Sequence, residues 1–409
     1  MTTTFKYKED GNESIKDEIT GENILDRVVV STPNGLEKIT TYTKNYTFDK
    51  KNSLETIENI VNINGLISTA VRGLKTSTTK ITSAEGREVE ISYDKKTLLA
   101  IKIDMAKLKP IHYQYDQLGK TTQITQGEKT VKFIYDEFGN MAELRNLHKN
   151  QITKYEYDLL ERVTKITYPN GNFAEFEYDK NGNMVKVVTP TPTEYIFDYN
   201  GVDKKTSYNS PLNFKTLYSY DKQKRVTKVT KPSGKMIDIN YDRGRINNIS
   251  TVEGVTNFGY GCGDKITSIS KNGEAISFNY DGNLITNISL SGVLNQTISL
   301  TYNNFFAPIS INYANQTTTF GYDKDGLLTQ NGNFQITRDL QTGFVSKVTD
   351  GSMLVEFDYN SYGELTNKKE SLRNSKLICF RYNTHIERLP VIYHHETEAT
   401  SFSLNEKTS

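Results

Sequence analysis

The 409-residue chain carries 50 basic and 49 acidic side chains, a net charge of +1, and has 26 tyrosines, 27 glycines and no tryptophan. This balance does not indicate a nucleic-acid or anionic-membrane partner. Cys262 and Cys379, the two cysteines, are too few for a disulfide framework and lack metal-site spacing. No apolar run could span a membrane, and the N-terminus has no signal-peptide core. Either the chain stays inside the cell, or it leaves by a route that needs no such signal, or its start is internal to a longer gene.

The chain begins with about 25 polar, aperiodic residues, for which we predict a disordered or frayed leader. Strand-like runs start near residue 26, with Val28-Val29-Val30 ahead of the turn signal Pro33-Asn34-Gly35. Their composition, rich in Tyr, Thr, Ile and Val, favours β structure.

One unit recurs along most of the chain, and Ala174–Gly182 is its clearest copy. Ala174, Phe176 and Tyr178 alternate with acidic residues, which is the period of a strand with one apolar face. Asp179 and Gly182 suit the first and fourth positions of a type I turn. The sequence therefore predicts a strand followed at once by a tight turn.

Copies of this unit follow each other every 19 to 22 residues when the degenerate Tyr199, Tyr260 and Tyr302 are included. A fixed period of this size indicates a repeat architecture. Tyr-Asp dipeptides mark nine of the copies, at Tyr93, Tyr115, Tyr135, Tyr157, Tyr178, Tyr220, Tyr241, Tyr280 and Tyr322.

Each repeat also contains a second strand and a second turn, so we interpret it as one β-hairpin of about 21 residues. In this second strand Val163 and Ile166 are three residues apart and would point to opposite faces. Either a β-bulge or a partly apolar outer face would accommodate them. Because a lone hairpin is marginal in water, we expect the hairpins to pair into one long sheet with its Tyr and Phe column on a buried face.

The sequence changes character after Gly363, the last glycine. Residues 371–409 are predicted to form a divergent C-terminal tail, leaving 26–370 as the repeat domain. Within the tail, the β-prone run at 377–382 could pair with the preceding sheet. A sheet that ends early leaves unpaired strand edges, so we expect the chain to self-associate through these edges or to need a partner chain that completes the shell.

The Tyr-Asp-x-x-Gly unit resembles the YD repeat of RHS proteins, of the insecticidal toxin-complex cocoon and of teneurins. The resemblance covers about residues 22 to 370 and rests on both motif and period. The absence of cysteine-rich modules favours a bacterial RHS-type chain. The resemblance implies a strip of antiparallel strands that forms a shell. In the bacterial members this shell holds a C-terminal toxin, which is released by self-cleavage. Four runs carry it most fully: Tyr115–Gly119, Tyr135–Asn140, Tyr178–Asn183 and Tyr322–Leu327.

The chain lacks the cleavage signature at which this family carries out its self-cleavage. The conserved core ends in an Asp-Pro cleavage signature, and no Asp-Pro dipeptide occurs here. Pro390, the one proline after Pro308, has neighbours that do not match. No catalytic residue of the family can therefore be assigned to this sequence.

The repeated Tyr and Asp residues allow two interpretations. Tyr rings and Asp carboxylates could bind carbohydrate, but every copy sits where a strand meets a turn, which favours a structural role. The acidic pairs Glu175/Glu177 and Glu88/Glu90 each share a strand face, and a solvated face explains them better than a glycosidase pair across a cleft.

The remaining candidates are weaker. His385, His394 and His395 could bind a metal, but adjacent histidines on a strand point apart and no Cys or Asp completes the set. Cys262 lies in a Gly-Cys-Gly turn with no histidine nearby, which argues against a nucleophile. The Asn-x-Ser/Thr sites at Asn248, Asn287 and Asn295 follow from composition and would matter only in a secreted eukaryotic protein.

These observations predict an all-β array of antiparallel hairpins in an open or partial YD shell. We expect a non-enzymatic structural segment without cofactor, metal or catalytic residues, which encloses or presents a toxin segment. Its partners would be that segment or another shell chain. The alternative is a surface or secreted repeat protein that binds carbohydrate in adhesion.

Overall fold

The computed structural model describes residues 1–7, 9–10, 13–14, 25–372, 375–381 and 391–394. Within these residues the backbone is almost entirely β, and the one helical element is the 3-10 turn Cys262–Asp264. Of the strands, 36 belong to one sheet and the two shortest pair with each other. The predicted all-β antiparallel fold class is confirmed.

The first strands of the chain are β1 (Thr2–Tyr7), β2 (Glu9–Asp10), β3 (Glu13–Ser14), β4 (Leu25–Ser31), β5 (Glu37–Phe48), β6 (Leu54–Ile63), β7 (Leu66–Gly73), β8 (Thr78–Thr82), β9 (Glu88–Tyr93) and β10 (Ala100–Met105). The next are β11 (Ile111–Tyr115), β12 (Thr121–Gln126), β13 (Lys129–Tyr135), β14 (Met141–Asn146), β15 (Gln151–Tyr157), β16 (Val163–Thr167), β17 (Phe173–Tyr178), β18 (Met184–Val188), β19 (Glu194–Tyr199), β20 (Lys205–Asn209), β21 (Lys215–Tyr220), β22 (Val226–Thr230), β23 (Met236–Asp242), β24 (Arg245–Thr251) and β25 (Gly254–Tyr260). The last are β26 (Ile266–Lys271), β27 (Glu274–Asp281), β28 (Leu284–Ser291), β29 (Gln296–Tyr302), β30 (Pro308–Tyr313), β31 (Gln316–Tyr322), β32 (Leu328–Asn331), β33 (Phe334–Arg338), β34 (Val345–Thr349), β35 (Met353–Tyr359), β36 (Leu365–Leu372), β37 (Ser375–Arg381) and β38 (Val391–His394).

The chain falls into two compact units. Unit 1 comprises Met1–Tyr113, Tyr280–Thr286 and Ile298–Ser409, and unit 2 comprises Gln114–Asn279 and Asn287–Thr297. In both units strands that follow each other in the chain pair antiparallel, as β5 does with β6 and β17 with β18. Such short connections are what a repeat of hairpins requires.

Strand β1 lies inside the predicted leader. It pairs antiparallel with β4, from Thr2 opposite Ser31 to Lys6 opposite Arg27. All six of its side chains are exposed, so it lacks the one-sided burial that makes a strand visible in sequence. The leader prediction therefore does not describe residues 2–7, which are paired.

The predicted tail also contains paired strand. The run at 377–382 overlaps β37, which pairs with β36, so its predicted pairing with the preceding sheet is confirmed. Strand β38 in turn pairs with β37. The boundaries at residues 25 and 370 stay predictions, and residues 395–409 lie outside the described part.

The apolar face of the sheet is only half-buried. Phe176, Tyr178, Phe278 and Tyr280 are all partly exposed, although they alternate with the exposed Glu177 and Asn279 as predicted. Among the residues whose burial is described, the buried apolar side chains are Ala174 in unit 2 and Val355 in unit 1, 5% and 6% exposed. The expected buried aromatic column is therefore wrong in degree, because its side chains share one face but keep intermediate exposure on it.

A β-bulge recurs just before the tyrosine of most repeats. In the β15–β16 pair the register shifts between Glu156 and Tyr157, so that Tyr157 pairs with Val163 while Tyr155 pairs with Ile166. The extra residue in one strand places Val163 and Ile166 on the same face despite their odd spacing. Of the two explanations that the sequence left open, the bulge is correct.

Candidate functional site: the tyrosine ladder and the docked turns

The tyrosine that ends most repeats is tied to the repeat before it. Its hydroxyl donates a hydrogen bond of 2.6 to 3.0 Å to a backbone carbonyl in the preceding hairpin. We call this series the tyrosine ladder. Its members are Tyr135, Tyr157, Tyr178, Tyr199, Tyr220, Tyr241, Tyr260, Tyr302 and Tyr322.

For seven of the nine bonds, the structure places the acceptor at the preceding bulge, opposite the tyrosine of the repeat before. Tyr178 donates to the carbonyl of Val163, and Val163 is the residue opposite Tyr157 at the register shift. In the next repeat Tyr199 donates to Met184, which is opposite Tyr178. Because a bulge interrupts the strand ladder, the hydroxyl supplies a donor where regular pairing is disturbed.

Burial raises the pKa of Tyr157, Tyr199 and Tyr220 above the ordinary value for tyrosine. A phenol with a raised pKa remains a donor at physiological pH. At these three positions the hydroxyl is therefore a lasting donor to the preceding hairpin.

The aspartate after the tyrosine organises the turn, which we call the YD turn. Oδ1 of Asp179 accepts from the backbone N–H groups of Asn181 and Asn183 at 2.9 and 2.8 Å. The Asn183 side chain and these N–H groups hold the pKa of Asp179 below its ordinary value. Gly182 takes φ +87° and donates to the Asp179 carbonyl, which agrees with the predicted turn.

In both units the first side chain of the YD turn accepts hydrogen bonds from the backbone N–H groups two and four residues later. In some copies this side chain is Asn instead of Asp. The arrangement occurs at Asp49, Asp116, Asp136, Asp158, Asn200, Asp221, Asn303, Asp323 and Asn360.

A basic residue links some YD turns to the next tyrosine. Arg162 bonds Asp158 through Nε at 2.7 Å, and its guanidinium carbon lies 4.5 Å from the centre of the Tyr178 ring. The Arg162 side chain lowers the pKa of Asp158. Arg225 repeats the arrangement, with its guanidinium carbon 4.2 Å from the centre of the Tyr241 ring. These cation–π contacts add to the link between neighbouring hairpins.

In unit 1 the turns of late repeats also contact turns of early repeats, and we call these contacts the docked turns. Arg87, beside the turn at 83–87, forms ion pairs with Asp323 (2.7 Å) and Asp325. All three side chains are 10 to 15% exposed. Burial acts to raise the pKa of Asp325, but bonds from Ser83 Oγ, the Glu85 N–H and Arg87 outweigh it, so the pKa is lowered.

Further docked turns lie on either side of this cluster. Lys107 forms an ion pair with Asp339, which lowers the pKa of that carboxyl to about 2. The Lys109 N–H donates to the Ser361 carbonyl at 2.7 Å. At the other side the Asn34 N–H donates to Oδ1 of Asp281, which is 3% exposed.

The docked turns were missed from the sequence. Their partners are 232 to 253 residues apart, so no local pattern joins them.

The acidic pairs predicted to be a solvated face carry surface ion pairs. Glu175 is 2.8 Å from Lys165, and Glu177 is 3.5 Å from Lys186. Glu88 is 2.7 Å from Lys80, with both side chains about half exposed, and Glu90 is opposite Lys80 in the strand register.

Other candidates show no converging chemistry. Cys262 is a free, exposed thiol. His385 and His395 lie outside the described residues, and only the backbone of His394 and Cys379, in β38 and β37, is described. Across the residues whose side chains are described, no three His, Cys, Asp or Glu groups converge as metal ligands.

The asparagines of the Asn-x-Ser/Thr sequences take part in the sheet. Asn248 accepts from Asn240 at 2.8 Å across a strand pair, and Asn295 bonds both backbone groups of Gly292 in a turn. Asn287 lies in β28. Within the part of the chain covered by the structure, no helix is both long and apolar enough to cross a bilayer.

The fold and its repeat identify the class of protein as a YD shell. The model of the teneurin YD-shell family matches residues 8–407, and the chain belongs to this family. No curated protein matches its sequence.

Solved structures show the same fold at low identity. The TcdB2-TccC3-Cdc42 structure is 12% identical with a TM-score of 0.58, over 93% of this chain and 24% of the other. A Photorhabdus luminescens Tc holotoxin pore is 12% identical with a TM-score of 0.50, over 92% and 24%. The chain thus spans about a quarter of the length of these structures.

Proposed function

We propose that the chain is a non-enzymatic segment of a bacterial shell, which encloses or presents a toxin polypeptide together with another shell chain. The observation that carries this proposal is the tyrosine ladder. The chemical groups that the repeat supplies in number, Tyr hydroxyls and Asp carboxylates, are bonded to neighbouring hairpins and to their own turns. These bonds hold the hairpins of the sheet together, so the groups are not free to bind a substrate.

Family and fold support the same proposal. The YD-shell family is named for a shell, and the similar solved structures are of Tc toxin components. Because this chain spans a quarter of those structures, the proposed shell would be completed by other polypeptide. The half-buried apolar face, with Phe176 and Phe278 partly exposed, offers non-directional contacts suited to an unfolded or apolar cargo.

The test is protection of a cargo. Where an adjacent gene encodes a toxin polypeptide, the full chain is co-expressed with it, and the purified material is digested with trypsin. We expect the toxin to be cleaved much more slowly than when free, and Arg87→Met, which breaks docked turns, to speed its cleavage. Equal cleavage rates for free and co-purified toxin would contradict the proposal.

A carbohydrate-binding role has one specific observation in its favour. Unit 2 carries two equivalent surface grooves of about 540 and 480 Å³, placed 42 residues apart in the repeat. The first is lined by Glu177, Lys186 and Asp198, and the second by Lys228 and Asp238 among others. Carboxylate and ammonium groups in a row suit sugar hydroxyls. A glycan array with the purified chain decides, since specific binding supports only this second function.

A further inference from the structure

A cleft lies along the docked turns of unit 1. Its volume is about 860 Å³, and its walls come from early hairpins on one side and late hairpins on the other. Two hydrogen bonds join these walls. Asn64 Nδ2 donates to the Asn304 carbonyl at 3.1 Å, and Ser83 Oγ donates to Asp325 at 2.7 Å. The bonds fix the two walls relative to each other, so the cleft is part of the fold of unit 1.

The walls of the cleft are mainly apolar. Ile63 and Leu66 line it from the turn between β6 and β7, and Phe305, Ile309 and Phe320 line it from late hairpins. Phe305 and Ile309 keep 37% and 38% of their surface exposed. Packed regions of proteins contain few voids larger than a water molecule, and this cleft is far larger. Its volume and lining are those of a site that holds a small organic molecule by its apolar body.

The unpaired charges that line the cleft are positive. Asp323 and Asp325 also line it, but both form ion pairs with Arg87 and accept hydrogen bonds from backbone N–H groups. Lys38, half-buried, and Lys324, exposed, line it too. Within the described part of the chain neither of these ammonium groups takes part in an ion pair. The cleft therefore combines apolar walls with two available cations, which attract an anionic group.

We propose that this cleft binds a single-chain aliphatic carboxylate, whose chain covers Phe305 and Ile309 and whose carboxylate pairs with Lys38 and Lys324. A carbohydrate would leave the apolar walls uncovered, and an alkyl cation would meet like charge. The inference goes beyond the proposed function, since it needs neither a cargo nor another shell chain. Because the ligand would contact both walls, its binding should also stabilise the docked turns.

The ligand class is tested by isothermal titration calorimetry of the full chain with octanoate, decanoate and dodecanoate, each below its micellar concentration. We expect one molecule to bind per chain. The affinity should rise roughly fourfold for each added CH₂ group, as more of the alkyl chain is removed from water. Decylammonium has as many carbon atoms as decanoate and the opposite charge, and it should bind at least about tenfold more weakly.

Two variants test the position of the ligand. Ala307 lines the cleft, so Ala307→Leu takes up part of its volume and should weaken decanoate binding at least about tenfold. The second variant, Lys38→Gln with Lys324→Gln, removes both cations from the cleft. It should weaken decanoate binding roughly tenfold and abolish the preference for decanoate over decylammonium.

Matched control variants carry the same kinds of change in unit 2. Ala275→Leu alters a separate apolar groove of about 340 Å³. Lys222→Gln with Lys235→Gln removes two exposed ammonium groups. Neither control should change decanoate binding by more than about twofold. Far-UV circular dichroism confirms that each variant is folded.

Hydrogen exchange then locates the bound ligand. Decanoate should slow exchange at 63–66 and 305–309 in the parent chain, and much less in the Ala307→Leu variant. Absence of binding, an affinity independent of chain length, or binding unchanged by either cleft variant overturns the proposed site. Equal affinity of the parent chain for decanoate and decylammonium overturns the assignment of an anionic ligand. Protection of a toxin cargo can hold in each of these cases.

Discussion

The hydroxyl of Tyr178 lies 2.9 Å from the backbone carbonyl of Val163, fifteen residues earlier, where the strand register has just shifted. The relationship explains why the repeat keeps a tyrosine at this point although the ring is only half-buried. Phenylalanine would pack as well against the strand neighbours. What it lacks is the donor that the bulge carbonyl requires.

Tyr178→Phe should therefore lower the free energy of unfolding by about 1 kcal/mol, the net worth of one hydrogen bond. The matched control is Tyr155→Phe, in the same apolar column but outside the tyrosine ladder, which should change it by less than about 0.5 kcal/mol. Urea unfolding of both variants measures the difference. Equal effects would show that the hydroxyl of Tyr178 contributes nothing.

The sequence predicted the repeat well because its signals are local. Alternation up to Tyr178, the turn at Asp179–Gly182 and the 21-residue period all arise within one or two hairpins. What it missed depends on position in space. The contact of Arg87 with Asp323 joins residues 236 apart, and no pattern in either segment points to the other.

Two further features follow from physical terms that a single sequence does not display. Strand β1 is exposed on both faces, so its Thr-rich sequence shows no amphipathic period. The buried aromatic face was overestimated because alternation reveals which residues share a face, whereas it says nothing of what covers that face. Because Phe278 is half-buried, Phe278→Ala should lower the free energy of unfolding by less than the roughly 3 to 5 kcal/mol expected for a core aromatic.

Gly182→Ala tests the YD turn. Gly182 has φ +87°, where a Cβ is disfavoured, and the space around it is open enough that only backbone strain is at issue. We expect a loss of about 1 to 2 kcal/mol in the free energy of unfolding. Gly201→Ala is the control, since Gly201 has open space and no positive φ. A Gly182 variant as stable as the Gly201 variant would contradict the assigned turn geometry.

The lowered pKa of Asp339 predicts that the stability of unit 1 falls at acid pH. Its bond with Lys107 holds its pKa at about 2, below the ordinary 3.8. A carboxyl with a lowered folded-state pKa stabilises the fold fully above the unfolded pKa, and this stability is lost as the pH falls through the folded value. We expect this contribution to disappear between about pH 4 and pH 2. Denaturant unfolding at a series of pH values measures it.

Lys107→Gln is the matched variant for that titration. It removes the ammonium group but keeps a polar side chain of similar length. The pKa of Asp339 should move up toward 3.8, and the dependence of stability on pH below 4 should become shallower. If the parent and the variant lose stability in parallel over this range, the bond between Lys107 and Asp339 does not contribute in solution.

The Arg87 cluster should be the most sensitive of the docked turns. Arg87→Met leaves the carboxylates of Asp323 and Asp325 close together, 10% and 15% exposed, without their counter-ion. Breaking a largely buried ion pair from one side costs about 3 to 5 kcal/mol, because the uncompensated charges remain. The control is Lys165→Met, which breaks the more exposed pair with Glu175 and should cost no more than about 1 kcal/mol.

Hydrogen exchange shows where the Arg87→Met variant loosens, and a compensating variant shows why. Exchange should rise at 83–87 and at 323–327 in unit 1, with the strands on either side less affected. Adding Asp323→Asn and Asp325→Asn removes the stranded charges and should recover part of the lost stability, since amides are cheaper to bury than carboxylates. If the triple variant is less stable than Arg87→Met alone, the aspartates act mainly through their turn hydrogen bonds, and charge pairing is the smaller part of the docked turns.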